Sequence, residues 1–197
     1  MTQVKGDCRR YGCPLQAEPV APEWTPQDRA RLADAYAEQS RSDFAVYSIH
    51  LQEAAECHRL HYLQMACEKI AKAYRLRDLV SFNPEDLYSH VVFSKFITGF
   101  LKSKLVRRRY VSQDAKRREV ERYARSLAAE IEKLAPAVDR ERTPANVEYP
   151  WTAGAAVFVP CRHDYPLSHR LREQSGRDFL KLIEIAIENY QSITLAG

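Results

Sequence analysis

Arg162 and His169 bracket the stretch Arg162-His163-Asp164-Tyr165-Pro166-Leu167-Ser168-His169. An arginine and a histidine together can cleave RNA without a metal. An imidazole titrates near neutral pH and can move the proton of a 2′-hydroxyl or of the leaving oxygen. A guanidinium can hold the charge that builds on the phosphate. The plainer reading is a polar loop that happens to hold both residues, and the sequence alone favours it. The second candidate is electrostatic. Lys102, Lys104, Arg107, Arg108, Arg109, Lys116, Arg117 and Arg118 lie within 17 residues, with Asp114 the only acidic residue among them. Such a run suits a phosphate backbone, and Tyr110 beside it can stack on a base. Helix C-termini also favour cations, which accounts for part of the run, and a solvated face is the common alternative.

Metal chemistry has weaker signals. Cys8 and Cys13 form half a zinc site at best, in a chain with no second pair of suitable spacing. His58 and His61 follow Cys57 one helical turn apart, but without an H-E-x-x-H pattern they read as histidines near solvent at the start of a helix. His90 reads equally as a buried, hydrogen-bonded residue or as a site residue. No metal and no cofactor is called for.

The elements that must position these residues are mostly helices. Thr25, Pro26 and Asp28 provide a cap, a first-turn proline and a carboxylate at the positive end of the dipole. The first helix then runs to about Leu51. The second covers roughly 55–78, with a seam of Leu60, Leu63, Cys67, Ile70 and Tyr74 at alternating spacings of three and four. Glu68 and Lys72 stand in the favourable i, i+4 order and read as its outer face. Asn83-Pro84-Glu85-Asp86 starts a third helix carrying Leu87 to Leu101, whose wide apolar surface suggests the centre of the packing, with Gly99 a close-contact point. Ser112 caps a fourth, with Val120, Tyr123, Leu127, Ile131 and Leu134 on one face, and Pro136 stops it. A last helix spans about 176–191. Residues 1–24 read as an irregular arm and 135–175 as a long proline-rich loop region, in which Ala155–Val159 is a short extended segment or one arm of a hairpin. In that region Tyr149 and Trp151 either pin the loop to the bundle or form an exposed aromatic patch. The expectation is a mainly α protein, an antiparallel bundle of about five helices over 25–197.

Composition agrees. The chain has 197 residues, 45% hydrophobic and 28% charged, which argues for one folded domain and against a disordered chain. A net charge of +4 permits nucleic-acid binding without demanding it. No apolar run approaches a membrane span, the N-terminus has no secretory h-region, and the odd count of five cysteines argues against a disulfide framework. A cytoplasmic protein is expected.

The residues Leu60 to Tyr74, L-H-Y-L-Q-M-A-C-E-K-I-A-K-A-Y, resemble the second helix of HEPN-domain proteins, which carry a Q-x-A-x-E-K-x-x-K-A-like core. Gln64, Ala66, Glu68, Lys69, Lys72 and Ala73 match it, and residues 35–44 look like the family's first helix. The resemblance covers 28–105 and 170–190. It implies a helical bundle, usually a homodimer, often active in antiviral defence or toxin–antitoxin systems beside a nucleotidyltransferase partner. Active members are metal-independent ribonucleases with an R-x4-6-H motif. Arg162 and His169 fit that spacing but depart from the pattern in enclosing Pro166 and in lying in a loop ahead of a helix. Many other members serve as binding or assembly modules. The leading expectation is accordingly a HEPN-like interaction module that self-associates and works with a partner protein and RNA. The alternative is an endoribonuclease using Arg162 and His169, with the basic stretch gripping RNA.

Overall fold

The computed structural model describes residues 25–51, 53–78, 82–111, 113–139 and 141–192. The arm 1–24 with Cys8 and Cys13, and Ser112, lie outside them. The Thr25 hydroxyl accepts from the Asp28 amide at 3.1 Å, and helix α1 follows over Pro26–Ala45, continuing into a wider π-type turn at Val46–His50. Helix α2 spans Glu56–Arg77. The two run antiparallel: Arg59 lies over the Tyr47 ring at one end of the pair, and Arg29 over Phe82 at the other.

The expected single helix from Asn83 to Leu101 is broken. Asn83 does cap a turn, accepting from the Glu85 amide at 3.1 Å, but this is a 3-10 segment, Pro84–Leu87. Regular helix resumes at α3, Phe93–Phe100. The cause lies on another element. The Glu132 carboxylate accepts from the Ser94 amide at 2.8 Å, a backbone donor that a helix start leaves open, and from the Ser94 hydroxyl at 2.6 Å. Gly99 in α3 has nothing within 4 Å of where a methyl would sit, so it is no close-contact point. Ser103 caps the short α4, Lys104–Arg109, and α5 covers Asp114–Glu132 from Gln113.

After an irregular stretch, β1 (Trp151–Ala153) and β2 (Ala156–Phe158) form an antiparallel hairpin. Gly154 adopts φ +61° at the first turn residue, where a two-residue hairpin needs a positive φ. Asn146 secures the approach: its side-chain oxygen accepts from the amides of Glu148 and Tyr149, and its own carbonyl accepts from the Tyr165 hydroxyl at 2.7 Å. A 3-10 turn, Pro160–Arg162, leads to α6 (Pro166–Arg172) and α7 (Gln174–Glu188). The described residues are thus mainly helical, with seven α-helices where about five were expected. None of these helices is long and apolar enough to cross a membrane.

The centre of the packing is α2 rather than the third helix of the sequence reading. Leu63, Cys67, Ile70 and Ala71 are fully buried within it, and α1, α3, α5 and α7 all pack against it. Tyr74 ties α2 to two neighbours at once. Its ring lies 4.9 Å from that of Phe96 and 5.4 Å from that of Tyr190, and its hydroxyl donates to the Ala186 carbonyl at 3.0 Å. The α6–α7 corner is tight. A methyl on Gly176 would meet the Arg170 carbonyl oxygen at 2.1 Å. Helix propensity favours Gly176→Ala by about 1 kcal/mol, but a clash with backbone cannot be relieved by a rotamer change. The expected outcome is a net loss of roughly 1–3 kcal/mol in chemical denaturation; an unchanged or raised midpoint would show that the corner gives way freely.

Candidate functional site

Arg162 ends the 3-10 turn after the hairpin, and His169 lies in α6. The expectation of a loop here is corrected: Pro166 is the first residue of a helix, a position that suits proline because no amide donor is needed there. Both Arg162 and His169 are exposed. His169 Nε2 lies 2.7 Å from Asp164 Oδ1, so a carboxylate steadies the ring. Among the described residues no hydrogen bond or ion pair joins Arg162 to His169.

The period of α6 explains why His169 faces outward. Leu167 and Leu171 are buried. Ser168 and Arg172 both reach Glu56 in the first turn of α2, Ser168 Oγ donating to Glu56 Oε2 at 2.9 Å. Arg170 turns the other way, to Glu130 and Ser126 of α5. With those faces committed, position 169 is left to solvent. His163, next to Arg162, sits edge-on between aromatic rings, 4.9 Å from Trp151 and 4.7 Å from Tyr165. The Asn146–Trp151 segment is divided in the same way: Trp151 is buried and stacks on Phe158, whereas Tyr149 is 60% exposed.

The basic stretch separates into two environments. Lys102, Lys104, Arg107, Arg108 and Arg109, in and before α4, are exposed and make no ion pair with the described residues. On α5 the cations are interleaved with acids. Arg117 bridges to Glu121 at 3.1 Å and to Asp114 at 3.5 Å. Lys116 lines a cleft with Glu119, Glu173 and Asp178, and Arg118 lies beside Glu119. Tyr110 is buried, and that burial raises its hydroxyl pKa, so its ring is not offered to a base.

The residues that carry the family resemblance face inward. Glu68 and Lys72, read as the outer face of the second helix, are 8% and 6% exposed. The seam pattern misleads here because α2 packs against α1, α3, α5 and α7, so the side that carries Gln64, Glu68 and Lys72 is buried too. Lys72 Nζ is 2.6 Å from Glu68 Oε1; Gln64 donates to Glu68 Oε2 at 2.8 Å, and His90 Nδ1 approaches the same oxygen at 3.0 Å. His90 is thus a hydrogen-bonded residue at the edge of this cluster, and Tyr36 closes it from α1: burial first, then the Glu68 charge, raises its hydroxyl pKa. Beside the cluster, Lys69 meets Asp43 at 2.5 Å and the Ser40 hydroxyl donates to the Ala66 carbonyl at 2.8 Å, which docks α1 on α2. Cys57 and His61 gather no further metal ligand: among the described residues no three His, Cys, Asp or Glu side chains converge.

A cleft of about 330 Å³ between the start of α2 and the α6–α7 corner was not visible in the sequence. Arg59, Arg172 and Arg177 line it around Glu56, and the Glu56–Arg172 pair alone joins positions 116 residues apart. No family model matches the chain, and no curated protein or solved structure matches it.

Burial alone raises the Glu68 carboxyl pKa, but hydrogen bonds and charge from Lys72 and His90 outweigh it and leave the group below its ordinary value of 4.5. A carboxylate lowered on folding adds stability above its unfolded pKa, and that stability is lost as pH falls through the folded value. Unfolding free energy should therefore decline below about pH 4.5, and Glu68→Gln should flatten that decline. Parallel acid limbs in the two proteins would mean that other carboxylates set the acid sensitivity.

Proposed function

We propose that the chain is a HEPN-like helical interaction module that associates with a second copy of itself and works with a partner protein. The observation that carries this reading is the hairpin. Val157 is 70% exposed and Val159 38%, with Tyr149 at 60% nearby. Trp151 and Phe158 use one face of the ribbon for their stack, so Thr152 and Val157 occupy the other. Each of the two strands has an outer edge with no neighbouring strand among the described residues. An apolar ribbon with unpaired backbone edges is a template for another chain. The resemblance adds a homodimer as the expected assembly, a nucleotidyltransferase as the kind of partner, and defence or toxin–antitoxin function as the setting. Val157→Lys should convert a dimer to a monomer in sedimentation at micromolar concentration. A wild-type monomer under those conditions, or an unaltered dimer in the variant, counts against the hairpin.

The second reading is a metal-independent endoribonuclease using Arg162 and His169. Asp164 favours it, because a carboxylate 2.7 Å from an imidazole nitrogen fixes the ring for proton transfer. Arg162 also follows closely on β2, so association at the hairpin draws two such segments towards each other. The unopposed cations of α4 supply a phosphate-binding surface. RNA cleavage in EDTA by the wild type, lost in His169→Ala, is the expected result for this reading, with Arg107, Arg108 and Arg109 changed to Glu reducing salt-sensitive RNA binding. A folded wild-type dimer that leaves RNA intact returns the chain to the interaction module alone.

A further inference from the structure

We propose that the cleft beside Glu56 is a binding site for a small organic phosphate monoester. Three guanidiniums, from Arg59, Arg172 and Arg177, share it with one carboxylate, so the lining carries an excess of two positive charges. Glu56 is already engaged: it accepts from Arg59 at 3.3 Å, from Arg172 and from Ser168. Arg177 has neutral acceptors only, the Arg172 carbonyl and Gln174 Oε1. The Arg59 guanidinium is held over the Tyr47 ring at 5.4 Å. Excess positive charge in one concave place, with one guanidinium held by neutral acceptors alone, marks a site for an anion.

The chemistry of the walls narrows the class. A phosphate monoester is close to a dianion at neutral pH and offers three acceptor oxygens, which matches two excess charges and the forked donors of arginine. A carboxylate would answer only one of those charges. Leu60 and Leu180 provide an apolar wall against which the esterified group can lie. The volume is at the lower end of small-molecule pockets, suited to a small ester and not to a folded partner.

The test is calorimetric titration of the full chain at low salt with phenyl phosphate, glucose 6-phosphate and inorganic phosphate in parallel. The expected result is saturable binding of at least one ester, about tenfold tighter than inorganic phosphate because only an ester uses the apolar wall. The tighter of the two esters then distinguishes an aromatic source from a sugar source. Arg177→Gln should weaken that binding by about tenfold. Glu56→Gln should tighten it, since the competing carboxylate is gone, and misfolding cannot imitate a gain. Absence of binding by both esters, inorganic phosphate equal to both, or affinity that neither substitution moves would overturn the proposal.

Discussion

A charge on a buried face of a helix has nowhere to go except against another charge. Helix α2 has such a face, and it carries Gln64, Glu68 and Lys72 along one side at successive intervals of four. Taking both ions out of water costs several kcal/mol each, and their attraction offsets this only when the geometry is good and the remaining lone pairs are filled. Gln64 and Lys72 fill part of the Glu68 carboxylate from within the helix; His90 must come from outside. The segment that carries His90 is thereby held against α2, between the 3-10 turn and α3. Removing either partner would leave the other buried and unpaired, which costs more than the pair itself contributes.

The consequences reach α3 and α5. Once the chain around His90 is fixed, α3 needs a new start, and its first-turn donors need an acceptor. Glu132 provides it from the far end of α5, and in doing so is itself buried. The aromatic rings of Phe93, Phe96 and Phe100 are then set against Tyr74 and Phe179, which seats α7. At the other end of α2 a second carboxylate, Glu56, performs the same office for α6 through Ser168 and Arg172. Two acidic residues of one helix thus hold the segments on which His90 and His169 ride; both histidines are exposed, but of the two only His90 touches an α2 carboxylate.

What could be read in the sequence follows from which signals are local. The starts of α1 and the 3-10 turn at Pro84 are written in their capping residues, and α2 and α5 in long apolar seams. Glu68 and Lys72 read as surface residues because an i, i+4 ion pair has the same spelling on a solvated face and in an interior; only the number of neighbouring helices separates the two. Pro166 reads as an interruption of the Arg162–His169 stretch, and the helix it starts has no side-chain cap at Tyr165 to announce it. The break between Leu87 and Phe93 depends on Glu132, a residue of another helix, and so had no local signal. The arginines around Glu56 were likewise invisible as a group, since nothing in the spacing of Arg59, Arg172 and Arg177 brings them together.

The charges of this chain show why composition is a poor guide to sites. A net +4 is a statement about solubility and encounter. The same kinds of cation occur in three surroundings: unopposed on α4, interleaved with Glu119 and Glu121 on α5, and gathered around the single carboxylate of Glu56. Exposed charges on α4 act at long range and fade with salt, as suits a polymeric backbone. Those on α5 largely neutralise one another. Those around Glu56 act at hydrogen-bond range inside a concavity, where shape and donor direction matter more than total charge. The position of the carboxylates, not the number of cations, therefore decides what each part of this surface can hold.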